Sequence, residues 1–164
     1  MAGRRGKVKG DMKSSFFDQI LYDLIFSYLH IPYVYGGEFP GSGGGFDCSG
    51  FVIDVLQSAA ILPNKFDTTA QGLLDLLEKA PGSRIGVRGL GSIVFYGKST
   101  SGISHVGIMV DPYRIAEAGG GDSTVTTIEE ARRRDARIRI RPIDYRKDRI
   151  SIIRPSYVKI GENI

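Results

Sequence analysis

Apolar residues Phe16, Phe17, Ile20, Leu21, Leu24, Ile25, Tyr28 and Leu29 recur at one-turn spacing. They predict an amphipathic helix with Ser14 or Ser15 as its cap and a stripe broad enough to be buried. His30 closes that helix and reads as a dipole partner or packing residue. Ile31 to Gly37 form an extended, turn-rich connector, and the segment 36–45 carries too many glycines to be a regular element. A second helix follows: Phe51, Val52, Val55, Leu56, Ala59 and Ala60 keep helical spacing, with Asp54, Gln57 and Ser58 between them. Asp47 is its natural N-cap. A third helix runs through Gln71, Leu73, Leu74, Leu76 and Leu77, capped by Asp67 or Thr68 and stopped near Pro81-Gly82.

The period then changes to that of strands. Gly91 to Tyr96, Ser104 to Val110, Tyr113 to Ala118, Ala136 to Arg141 and Ile150 to Ile153 read as strands, with a short helix from Thr127 to Arg132. Helices first and an antiparallel sheet after them make an α+β domain. Residues 1–13 read as a basic, solvated arm and 14–164 as one domain without internal repeats.

Composition narrows the chemistry more than the fold. A single cysteine, Cys48, excludes an internal disulfide and any Cys-rich zinc site, and two histidines make a His-based metal centre an unlikely design. The excess of 22 basic over 18 acidic residues would favour a polyanionic surface without identifying one. No apolar run reaches transmembrane length, so membrane insertion is not expected. The basic first residues lead into no apolar signal segment, so delivery to a target outside the cytoplasm is expected to use another route. Arg132, Arg133, Arg134, Arg137, Arg139 and Arg141 invite a nucleic-acid reading. Asp135, Asp144 and Asp148 interrupt the charge, and no aromatic residue interleaves from 132 to 141. The stretch reads instead as a solvated strand face with edge-protecting charges, and no nucleic acid is expected as partner.

Cys48 sits on the first turn of the second helix, where free N–H groups and the helix dipole favour an anion; the thiolate is the nucleophilic form. A lone cysteine is also commonly a small buried hydrophobe, and Asp47 adds opposing charge. The candidate base is His105, which opens a strand whose His105, Gly107 and Met109 share one face and whose Val106, Ile108 and Val110 share the other. Packing the histidine face on the start of the Cys48 helix would pair imidazole with thiol. A third group should orient the imidazole. Glu117 lies directly opposite His105 if the hairpin loop is the three residues 110–112, and turns to the other face if the loop is Asp111-Pro112. Asp111 and Asp122 compete for the role, each also suited to a turn.

PYVYGG, FDCSGFV, GSIVFY, SHVGIMV and IAEAGGG, spanning Ile31 to Gly121, resemble the NlpC/P60 cysteine peptidases. The resemblance implies a papain-like α+β fold and hydrolysis of peptidoglycan stem peptides, typically between D-γ-glutamate and the diamino acid. It implies Cys48 as nucleophile, His105 as general base and Tyr33 as a hydroxyl near the oxyanion site, with a core aromatic as the alternative role for Tyr33. Glu117 stands where the family most often has histidine, a departure that fits either a stronger imidazolium partner or altered activity. No metal or organic cofactor is implied. A free-standing hydrolase of this kind fits a phage lysis or tail enzyme, or an effector delivered by a secretion machine. An amidase or acyltransferase using the same Cys-His site, and a non-catalytic wall-binding or phage structural module, are the competing readings. Oligomeric state is left open.

Overall fold

The computed structural model of the chain describes residues 7–39 and 44–156. Three helices, α1 (Lys7–Ser27), α2 (Cys48–Ser58) and α3 (Ala70–Lys79), precede the sheet strands β1 (Arg84–Ile85), β2 (Ile93–Gly97), β3 (Ile103–Met109) and β4 (Arg114–Gly119). A short helix, α4 (Ile128–Arg133), then leads to β5 (Arg137–Pro142) and β6 (Arg149–Arg154). The strands form one antiparallel sheet in the order β1-β6-β2-β3-β4-β5. This is the expected α+β architecture.

Three boundaries differ from the sequence reading. α1 begins at Lys7, before the expected cap at Ser14 or Ser15, because no proline interrupts residues 7–13 and a formed helix extends at one bond per residue. The first six residues of the expected arm lie outside the described residues, as do 40–43 of the glycine-rich segment and 157–164. The α3 cap is Thr69, whose hydroxyl accepts from Gly72 N–H, rather than Asp67 or Thr68. β1, two residues long, offers no periodicity to read and exists by pairing with β6.

α2 and α3 bury their apolar stripes against one face of the sheet. Phe51, Val52, Val55 and Leu56 of α2 and Leu73, Leu74 and Leu77 of α3 pack in one cluster with Ile93, Phe95, Val106, Ile108, Ala116 and Ala118. Each such large side chain removed from water contributes roughly 1.5–3 kcal/mol. The opposite face carries a smaller cluster of Val94, Tyr96, Met109, Ile115, Ile143 and Ile152, joined by Tyr145. The Val106/Ile108 side of β3 therefore meets the helices, not the side of His105 and Met109 expected from the strand pattern. Burial decides this: the side with Ile93, Phe95, Val106, Ile108, Ala116 and Ala118 joins the larger apolar cluster with α2 and α3.

The outer edge of β5 is not open. His30 N–H donates to the Ile138 carbonyl, Ile138 N–H to Ile31, and Tyr33 N–H to Ala136, so the connector after α1 seals the edge. The same connector ties down the start of α2, with Val34 N–H donating to Phe46, Phe46 N–H to Pro32 and Asp47 N–H to Gly37. Gly50, on the first turn of α2, lies so close to this connector that a Cβ there would stand 2.2 Å from the Gly37 carbonyl oxygen, a backbone atom that cannot swing aside. Gly50→Ala is therefore expected to lower the unfolding free energy by about 2 kcal/mol, read from urea denaturation. An unchanged midpoint would mean that the connector is not pressed against the helix.

Candidate functional site

Cys48 is the first residue of α2 and is partly exposed. Asp47 caps the helix: one carboxylate oxygen accepts from Gly50 N–H at 2.8 Å and from the Ser49 hydroxyl at 2.9 Å, the other from Gly36 N–H at 3.1 Å. The carboxylate before the cysteine is thus fully engaged in holding backbone, as its position in the sequence implied.

His105 is buried near the start of β3. It pairs with Tyr96 across the β2–β3 ladder, beside a register shift between Tyr96 and Gly97 that leaves Ser104 as the extra residue. Such bulges bend a strand and re-aim its side chains. The imidazole faces the Cys48 thiol, which is one of the groups acting on its protonation, and its Nε2 lies 2.5 Å from Glu117 Oε2. With Nε2 committed to the carboxylate, Nδ1 is the ring nitrogen left for the thiol.

The register resolves the Glu117 question in a third way. Ile108 pairs with Ala116 and Met109 with Ile115, and Val110 N–H donates to the Arg114 carbonyl, so the loop is Asp111-Pro112-Tyr113. Continued along the strands, this sets Gly107 opposite Glu117. Glu117 shares the face of His105 as a diagonal neighbour, not as the directly opposite residue, and a side chain of its length spans that offset. Asp111 and Asp122 both serve turns. Asp111 accepts from Tyr113 N–H, Arg114 N–H and Arg114 Nε, and Asp122 from Thr124 and Arg134. His30 adopts a left-handed backbone at the end of α1 and bonds Ile138 through its N–H.

Glu117 is 1% exposed and has four polar neighbours. Beyond His105, its Oε2 accepts from the Tyr145 hydroxyl at 2.6 Å, and Oε1 lies 3.5 Å from Arg139 Nε and 3.7 Å from Arg141 Nε. Burial opposes the charge on Glu117, but His105, Tyr145 and Arg139 overcome it and hold the carboxyl below its ordinary value. Burial likewise opposes charge on His105, while bonds to Cys48 and Glu117 and their negative charge raise it above 6.5. The two residues favour a buried ion pair.

Tyr33 is buried against Gly121, where a Cβ would strike the ring at 2.2 Å. Burial, then the charges of Cys48 and Asp47, push its phenol well above 10.0, so it stays a donor beside the thiol. The structure thus gathers Cys48, His105, Glu117 and Tyr33. Arg139, Arg141 and Tyr145 were missed. The alternation of arginines along β5 placed 139 and 141 on one face, but reading that face as solvated overlooked the glutamate paired with Arg139 on the next strand. Tyr145 lies in the turn after β5 and carries no periodic signal. Beside Asp47 and Ser49 opens a cleft of about 310 Å³, also lined by Glu38, Asp67, Thr68 and Thr69. Among the described residues no three His, Cys, Asp or Glu side chains converge as a metal site, and no helix is long and apolar enough to cross a membrane.

The NlpC/P60 family profile matches residues 30–141, and the chain belongs to that family. No curated protein matches significantly. Among solved structures, the chain is similar to the NlpC/p60 domain of the peptidoglycan hydrolase SagA, with 19% identity, TM-score 0.55, and coverage of 83% of this chain and 97% of that one. It is similar to the peptidoglycan hydrolase RipB from Mycobacterium tuberculosis, with 18% identity, TM-score 0.58, and coverage of 97% and 74%. It is also similar to RipD of the same organism, described as a non-catalytic domain adapted to peptidoglycan binding, with 13% identity, TM-score 0.57, and coverage of 84% and 95%. At these identities the likeness is one of fold.

The ion pair has a pH signature. A histidine raised in the fold adds stability that is complete below its ordinary 6.5 and disappears as pH climbs through the raised value. A lowered glutamate adds stability that is complete above 4.5 and disappears as pH falls through the lowered value. Glu117→Gln leaves His105, Arg139 and Arg141 facing an uncharged group and is expected to cost on the order of 3 kcal/mol. In denaturant titrations that cost should peak between about pH 4.5 and 6.5 and shrink on both sides. A cost flat with pH would show that no charge pair is present.

Proposed function

We propose that the chain is a cysteine endopeptidase hydrolysing an amide bond of peptidoglycan stem peptides, with the bond between D-γ-glutamate and the diamino acid as the expected target. The observation that carries this reading is the buried imidazole of His105, tied through Nε2 to Glu117 and facing the single cysteine at the start of a helix. A structural cysteine needs no such partner; a nucleophile needs a base, and the base needs an orienting group.

The steps follow from the positions. Transfer of the thiol proton to His105 Nδ1 is what charges the imidazole paired with Glu117, and the Cys48 thiolate so formed attacks the scissile carbonyl carbon. The oxygen that becomes negative is stabilised by the Cys48 backbone N–H, which as a first-turn amide has no intrahelical acceptor, and by the Tyr33 hydroxyl. His105 returns the proton to the leaving amine, and the thioester remains on Cys48. Water, deprotonated by the same imidazole, then releases the acid. Glu117 keeps the imidazole in one tautomer and stabilises its charge through both steps. Delivery as a phage lysis or tail enzyme, or as a secreted effector, belongs to the same reading.

Purified peptidoglycan incubated with the protein should release peptides with new termini, identified by mass spectrometry, and Cys48→Ala should release none. His105→Ala should reduce the rate by about 10³-fold or more, since members of such a constellation act as a unit. If folded protein cleaves no wall, whichever diamino acid the wall contains, the site is a binding module like that described for RipD.

A further inference from the structure

Glu117 is fixed from two sides: His105 and Tyr145 donate to Oε2, at 2.5 and 2.6 Å, while Arg139 and Arg141 face Oε1. The guanidinium groups stand at ion-pair rather than hydrogen-bond distance, so they attract the carboxylate without orienting it. Left with His105 alone on Oε2, the carboxylate would be free to turn toward the arginines and leave the imidazole. Tyr145 prevents this. Its ring is itself held, edge-on to Tyr96 at 5.8 Å between centroids and beneath the Arg141 guanidinium at 5.6 Å. Tyr96 donates to the Ile143 carbonyl and sets its ring 5.9 Å from that of His105.

We propose that Tyr145 is a positioning residue: its hydroxyl locks the Glu117 carboxylate in the orientation that holds His105 Nε2 and thereby turns Nδ1 toward Cys48. The inference rests on Cys48 and His105 being the reacting pair. The groups facing Glu117 are His105 of β3, Arg139 and Arg141 of β5, and Tyr145 of the following turn; His105 is also within the influence of Cys48 of α2 and Asp148. Burial and the charge of Glu117 push the Tyr145 phenol upward, so it remains a donor wherever Glu117 is ionised.

Tyr145→Phe removes only the hydroxyl and keeps the ring packing. Losing one donor to the charged form should raise the midpoint of the Glu117 carboxyl ¹³C titration by about one pH unit. It should also shift the downfield proton of the His105–Glu117 bond and slow alkylation of Cys48 by iodoacetamide by about 10-fold, a one-unit change in the controlling equilibrium. In a Glu117→Gln background the same substitution should have no further effect on alkylation, because Tyr145 acts through that carboxylate. Unmoved NMR signals in folded Tyr145→Phe, or a further slowing in the Glu117→Gln background, would overturn the proposal. In the unaltered protein, ¹⁵N shifts of His105 above its titration must place the remaining proton on Nε2; a proton on Nδ1 would also overturn it. These readouts need no substrate, so they stand apart from the wall-digestion result: a protein that cuts nothing but passes them keeps the positioning device and loses the hydrolase reading.

Discussion

A carboxylate with almost no access to water has to be neutralised from within, and Glu117 organises the sheet around that need. An unpaired charge so placed costs several kcal/mol, so every element that approaches it brings a donor: β3 the imidazole, β5 two guanidiniums, the turn after β5 a phenol. The antiparallel register between β3, β4 and β5 is what brings these groups to one face. A slip of one residue would turn Glu117 into the helix-covered side among Val106, Ile108 and Ala118, where none of them could follow.

The thiol is placed by a separate device. Asp47 spends both carboxylate oxygens on backbone and hydroxyl donors, and the connector 32–37 is laced to Phe46 and Asp47 by main-chain bonds. The first turn of α2 therefore has little freedom, although it follows a segment poor in side chains. Electrostatics of the buried pair and backbone chemistry of the cap meet only where the Cys48 side chain faces His105.

Much of this was readable from residues. Helical periodicity located α2 and α3 to within a few positions, and Asp47 announced its cap. The strands β2 to β6 were legible because β-branched and aromatic residues cluster between glycine and proline breaks. What escaped had a shared cause. The face of β3 that meets the helices, the offset between His105 and Glu117 and the partners of Arg139 all depend on which strand lies beside which and in what register. A single strand's pattern does not carry that information. β1 exists only by pairing with β6, and Tyr145 acts from a turn whose path is set by the strands on either side.

The seal over β5 also sets the order in which the protein becomes complete. Tyr33 and Ala136 are bonded through main-chain atoms although roughly a hundred residues separate them, a long loop to close before any reward is gained. Along the chain, Cys48 of α2 comes well before His105 of β3, and His105 before Arg139 and Arg141 of β5, which face Glu117. The groups around Glu117 are therefore complete only once β5 and the turn carrying Tyr145 have joined the sheet. A chain interrupted before that point would hold Cys48 and His105 without the guanidiniums and the phenol that neutralise Glu117.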